Sequence, residues 1–270
     1  MSARPVVVKS LSMMGAAASF AQQSPVRERV SPAEWTARVE LAALYRLVDH
    51  FRWTDTIYNH ISLRVPDEEA FLINSFGYLY HEITASSLVK INVKGEVLDD
   101  PTGLGINRAG FVIHGAIHAA RPDVACVIHT HTRAGSAVSA QELGLLPISQ
   151  NSILFIGRTG YHDYEGAVVN EDEQERLVKD LGPYRALILR NHGLLTAGQS
   201  AGEALALMFG LERACEIQIA AMSGGAPLRH MAQEAIDFTQ SLIDKMGSDV
   251  SRDWQAMLRL ADKVGPDFRD

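Results

Sequence analysis

Val124-Ala125-Cys126-Val127-Ile128-His129-Thr130-His131 is the stretch on which the fold turns. Its five leading apolar residues read as a short strand buried on both faces. The run passes directly into two histidines at i and i+2, and a strand projects such a pair from one face. Ala186-Leu187-Ile188-Leu189 repeats the plan, running into Arg190-Asn191-His192-Gly193. If these two strand ends are neighbours, three imidazoles converge at one end of a sheet and leave coordination positions open, as in a catalytic metal site. Gly193 then lets the backbone turn away sharply after His192.

Outward from these strands, the pattern alternates between strand and helix, which predicts a layered α/β domain. Ser31-Pro32-Ala33-Glu34 carries an N-cap, a proline at the first helical position and an acidic third residue. A helical stripe follows from Val39 through about Phe51. Residues 61–65 and 70–74, and again 89–93 and 96–98, read as two hairpins. Residues 109–120 read as a short helix stopped by Arg121-Pro122-Asp123. Residues 132–142 look helical, and 145–149 and 153–156 extended. Residues 171–180 look like a solvated amphipathic helix, 200–222 the longest and most buried helix, and 232–260 a helical tail.

With 270 residues, 47% hydrophobic and 21% charged, the chain suits one large globular domain or two small ones. The expected division is a flexible leader over 1–30, one domain over 31–225, and a C-terminal helical extension over 226–270 packed on that domain. The leader has Arg4 and Lys9 ahead of an Ala/Ser/Gly-rich stretch ending Ser19-Phe20-Ala21, but it lacks the Leu or Val run of an export signal. No stretch is long and apolar enough to span a membrane, so a cytoplasmic location is expected. A net charge of −7 offers no field for nucleic acid or an anionic membrane. The partner expected is therefore a small-molecule substrate.

Ten histidines accompany two cysteines. Any metal must then rest on imidazole and oxygen rather than on thiolate, with His129, His131 and His192 as its ligands. His114 and His118 stand at i and i+4 on a helix, the metalloprotease spacing, but Gly115 occupies the position of that mechanism's glutamate. The plainer expectation is one ring packed in the core and the other hydrogen-bonded near the metal strand. His60 and His162 lie in polar or aromatic loop contexts suited to substrate contacts. Glu82, beside His81, is either a buried carboxylate near the site or part of a capping cluster.

Several segments together resemble the class II aldolase/adducin family, in order, from about residue 32 to 225. They are Asn59-His60-Ile61-Ser62, Gly110-Phe111-Val112-Ile113-His114, Arg121-Pro122-Asp123, His129-Thr130-His131-Thr132, Gly144-Leu145-Leu146-Pro147-Ile148-Ser149, Tyr161-His162-Asp163-Tyr164 and Leu189-Arg190-Asn191-His192-Gly193-Leu194. The resemblance implies a three-layer α/β/α fold with a mostly antiparallel central sheet, and a homotetramer or other homo-oligomer. It also implies a divalent metal on His129, His131 and His192, zinc first, with Fe(II) or Mn as alternatives.

Departures from the family pattern narrow the chemistry. The aldolase catalytic glutamate falls on Gly110, and the two preceding phosphate-holding serines on Arg108 and Ala109. Asn59 and Gly77 match the phosphate loop, while Phe76 replaces its threonine. Substrate contacts are therefore expected from Asn59, Gly77, Arg108 and Gly110. Proton transfer is left to His60, Glu82, His114, Tyr161 or His162, the last two reaching in across a subunit interface. The Gly110-Phe111 pairing resembles adducin heads and their short bacterial-type relatives. The expected function is a metal-dependent lyase-type enzyme, by aldolase-like C–C cleavage or decarboxylation, on a small oxygenated, non-phosphorylated substrate. Two alternatives stand beside it: a non-haem Fe(II) oxygenase, and an adducin-head-like scaffold without catalysis, which the absence of adducin's long basic tail after Asp270 disfavours.

Overall fold

Antiparallel pairing dominates the architecture seen in the computed structural model, which describes residues 25–166, 173–247 and 249–270. Residues 1–24 of the expected leader lie outside the described residues. Val26–Arg29 (α1) is one helical turn whose Val26 is buried and whose Arg29 pairs with Asp99. Pro32–His50 (α2) starts where the sequence marks it, with the Ser31 hydroxyl accepting from the Glu34 N–H at 3.0 Å.

Eight strands form one sheet among the described residues. His60–Arg64 (β1) and Ala70–Ile73 (β2) make the first hairpin, Val89–Asn92 (β3) and Val97–Asp99 (β4) the second. Arg108–Ala120 (α3) leads to Cys126–Thr130 (β5) and then Arg133–Ser139 (α4). Thr159–His162 (β6), Glu173–Leu181 (α5), Ala186–Leu189 (β7), Gly193–Gly198 (β8) and Ala201–Ser223 (α6) follow. Gln233–Met246 (α7) and Ser251–Val264 (α8) close the chain. The strand order is β4-β3-β2-β1-β5-β8-β7-β6, and only β6–β7 is parallel.

The layers follow from side-chain alternation. Along β5, Cys126 and Ile128 face one way, into a core built with α2, α4, α6 and α8. Val127 faces the other, with Leu187, Leu189, Leu195 and Ala197, against Val112, Ile113 and Ile117 of α3 and Leu177 and Leu181 of α5. The result is three layers, α/β/α. Helix α8 and the 3₁₀ turn Pro266–Arg269 that follows it pack back on α2: Arg46 forms a two-point ion pair with Asp267 at 2.8 and 3.0 Å, and Phe268 is fully buried. Burying a phenylalanine of this kind contributes about 2–3 kcal/mol relative to exposure.

Three expectations need correcting. The two histidine-ended strands are not neighbours, because β8 lies between β5 and β7. Tyr161 and His162 are in strand β6 rather than a loop, and His60 opens β1. Residues 153–156 turn rather than extend, following a 3₁₀ turn at Gln150–Ser152.

Candidate metal centre

One end of the sheet gathers the chemistry-bearing residues. The β1–β5 register sets His60 opposite His129, and the β5–β8 register sets His129 opposite Leu195. The end of β5, the start of β8 and the tight β7–β8 turn therefore share one edge. In that turn Asn191 takes the left-handed conformation at φ 55°, which Asn tolerates better than most residues. The role of Gly193 differs from a sharp turn: a Cβ there would sit 2.2 Å from the Thr130 carbonyl oxygen. Only glycine allows β8 to approach β5 this closely, and that approach carries His192 to the other two histidines.

His129, His131 and His192 form a group able to hold a metal ion. The Nε2 atoms of His129 and His131 are 2.9 Å apart, and those of His131 and His192 are 2.8 Å apart. The opposite nitrogens settle where the protons are. His129 Nδ1 donates to the Leu194 carbonyl at 2.9 Å, and His131 Nδ1 donates to the Asp55 carboxylate at 2.9 Å. A neutral ring that donates through Nδ1 presents a bare lone pair at Nε2. Two such lone pairs facing each other at 2.9 Å repel unless a cation lies between them, so the donor set fits a metal ion. Metal-binding histidines are typically oriented in this way, the far ring nitrogen donating to a carbonyl or carboxylate.

Electrostatics keep His129 and His192 neutral. Burial, reinforced by the neighbouring imidazoles, holds His129 well below the ordinary histidine range and lowers His192 to about 4. Protons therefore compete weakly for the lone pairs of these two rings near neutrality.

Behind the cluster, a buried polar chain runs under α3. The His60 ring lies 5.1 Å from that of His129, centroid to centroid, and its Nδ1 is 2.8 Å from His114 Nε2. The Ser62 hydroxyl bridges His114 Nδ1 at 2.6 Å and His118 Nε2 at 2.8 Å. His118 also stacks on Phe71. Desolvation is the main cause that lowers His60 and His114 well below their usual value and His118 to about 3. Gly110 is buried against this chain: a Cβ there would lie 2.7 Å from His60 Cδ2. The His60 ring thus fills the space into which a side chain at position 110 would project.

The remaining expected residues separate clearly. Asn59 is 1% exposed, and neither end of its amide has a partner among the described residues. Gly77 lies in the exposed loop after β2, at φ +107°. Arg108 is exposed at the first position of α3. His162 is buried but committed to α5, its nitrogens 2.7 Å from Asp180 and 3.3 Å from Glu173. The Tyr161 hydroxyl accepts from the Leu145 N–H, and Arg190 lies over its ring. Glu82 is a correction. It is exposed, and its carboxylate accepts from the Leu79 N–H at 2.7 Å as the cap of a 3₁₀ turn, so the capping alternative is the one realised.

Three residues were not anticipated. Asp55 orients His131, and Ser62 joins two buried histidines. Glu212, in the middle of α6, accepts from the Thr132 hydroxyl at 2.5 Å, directly after His131, and burial raises its carboxyl to about 7. Of these, only Ser62 left a trace in the sequence, through its i, i+2 spacing from His60.

Comparison with known proteins adds four likenesses. The family model for the Class II Aldolase and Adducin N-terminal domain matches residues 39–219. An aldolase II superfamily protein from Pseudomonas syringae superimposes with a TM-score of 0.88 at 55% identity, covering 92% of this chain and 100% of that one. L-fuculose 1-phosphate aldolase from Glaciozyma antarctica PI12 superimposes with a TM-score of 0.77 at 26% identity, covering 88% and 93%. Alpha-adducin from Rattus norvegicus is 53% identical over 194 residues, which is 70% of this chain and 26% of that protein.

Proposed function

The chain belongs to the class II aldolase and adducin family, and from that premise we propose that it is a metal-dependent lyase-type enzyme acting on a small oxygenated, non-phosphorylated substrate. The observation that carries this reading is the approach of His129 Nε2 and His131 Nε2 to 2.9 Å while their Nδ1 atoms are engaged by the Leu194 carbonyl and Asp55. His192 supplies the third ligand. A divalent ion held by these three histidines would supply Lewis acidity toward a substrate oxygen, the chemistry that serves retro-aldol cleavage or decarboxylation. Zinc is the first expectation and Fe(II) or Mn the alternatives, since imidazole alone does not select among them.

This chain's own residues do the rest. Asn59 offers a buried donor and a buried acceptor, both free for a substrate that brings a hydroxyl or keto oxygen. His60, packed on Gly110 and linked to His114, is the imidazole placed where a proton could be delivered or taken in the absence of a carboxylate at position 110. A phosphorylated sugar is disfavoured because neither serine of the phosphate cradle is present; Arg108 and Ala109 occupy their positions.

The 53% identity to alpha-adducin supports a second reading, a scaffold that keeps the metal without turnover. One experiment separates the two. Elemental analysis of protein purified without oxygen should find close to one divalent ion per chain, lost in the His129→Ala/His131→Ala variant with its melting transition retained. The metal-loaded wild type should then release an aldehyde or CO₂ from a panel of hydroxy and keto acids. Full metal content in the variant would overturn the ligand assignment, and metal without turnover would favour the scaffold.

A further inference from the structure

Helix α7 carries two apolar faces, and only one of them is covered among the described residues. Ile236 is buried, and Gln240 donates from Nε2 to the carbonyls of Ile153 at 2.7 Å and Ile156 at 2.8 Å. Those bonds fix the rotation of the helix. On the outer side, Phe238, Leu242 and Met246 stand at i, i+4 and i+8 with 72%, 47% and 75% of their surface exposed. A helix stacks residues at this spacing into one ridge, so the stripe is continuous and cannot be turned inward.

The charges beside the ridge indicate what covers it. Glu234 lies one turn before Phe238, and Lys245 immediately precedes Met246. At 100° per residue both fall on the same flank of the ridge, near its two ends. Neither makes an ion pair among the described residues, whereas the nearby Asp244 is held by Arg158 at 2.6 and 2.8 Å. When two identical helices pack antiparallel, like flanks meet and each end faces the opposite end of its partner. Glu234 of one copy then meets Lys245 of the other, twice, while Phe238 packs on Leu242 across the dyad. Parallel packing would instead bring equal heights together, glutamate level with glutamate and lysine level with lysine.

We propose that the outer face of α7 is a self-association surface on which a second copy of this chain docks antiparallel, about a two-fold axis near the middle of the helix. Such an isologous contact is self-complementary and closes on itself. Its extent is set by a helix of 14 residues, about 21 Å long at 1.5 Å per residue. A strip of that length and about 10 Å wide presents roughly 200 Å², well under the roughly 800 Å² per partner typical of stable interfaces, so the contact is reversible and concentration-dependent.

Sedimentation velocity over a wide concentration range tests this on the full chain. Phe238→Glu should weaken the association step at least about tenfold, equivalent to about 1.4 kcal/mol. Glu234→Lys and Lys245→Glu should each weaken it, and the double reversal Glu234→Lys/Lys245→Glu should restore it to near the wild-type value. All of these positions are exposed, so circular dichroism and the melting transition should be unchanged. Association that is absent in the wild type, or unaffected by Phe238→Glu, would overturn the proposal. A double reversal no better than the single changes would overturn the antiparallel arrangement.

Discussion

His131 presents Nε2 to its neighbours because Asp55 accepts the proton on its other nitrogen. Asp55→Asn keeps the shape but removes the carboxylate's charge. In the metal-site reading, affinity for the ion should fall about 10- to 100-fold, read by competition with a chelating dye. Unchanged affinity would show that Asp55 does not act through His131. At this scale the sequence was partly legible. The spacing of His129 and His131, and the glycine after His192, are local patterns with a local cause. Asp55 has none: an aspartate in a loop after α2 gains its role only when β5 arrives beside it. Glu82 shows the converse, since its position next to His81 suggested a site while its carboxylate serves a 3₁₀ turn.

Between elements, the contact of α3 with β1 replaces one chemical group by another. A Cβ at Gly110 would lie 2.7 Å from His60, whose ring is held by His114. Gly110→Ala should therefore destabilise the fold by about 1–3 kcal/mol, the usual cost of overpacking. Combined with His60→Ala, the loss should be less than additive by about 0.5–3 kcal/mol in chemical unfolding. Strict additivity would show that the two positions do not share that space. The hairpins, α2, α3 and α6 were legible because their hydrophobic periods are regular. Strands β6 and β8 were not. Gly160 interrupts β6, where a Cβ would lie 2.1 Å from the Asp180 carbonyl oxygen, and glycines bound β8 at both ends. In each case glycine answers a close backbone approach, which leaves no propensity signal.

For the whole molecule, the buried histidines make stability depend on acid. His118 is lowered to about 3, and His60 and His114 well below the usual value, chiefly by burial. In the unfolded chain these rings take up protons near pH 6.5. Between that value and their folded values the unfolded state binds more protons, so stability falls as pH falls through this window and is untouched by these groups above it. The slope is about 1.4 kcal/mol per pH unit for each ring. Melting midpoints should drop steadily on acidification below about pH 6.5, and a midpoint flat across that window would contradict the burial of these rings as neutral groups. The sequence by itself determined that imidazole rather than thiolate would be the donor to any metal, that histidines lie at or just beyond the ends of buried strands, and that position 110 lacks a carboxylate, because these are matters of residue type and short spacing. Only the tertiary structure decided that β8 lies between β5 and β7, that Asp55 and the Leu194 carbonyl set the tautomers, and that His60 fills the space beside Gly110. Those contacts join residues about 50 to 80 positions apart, and no local period records which distant segments a hydrophobic core will bring together.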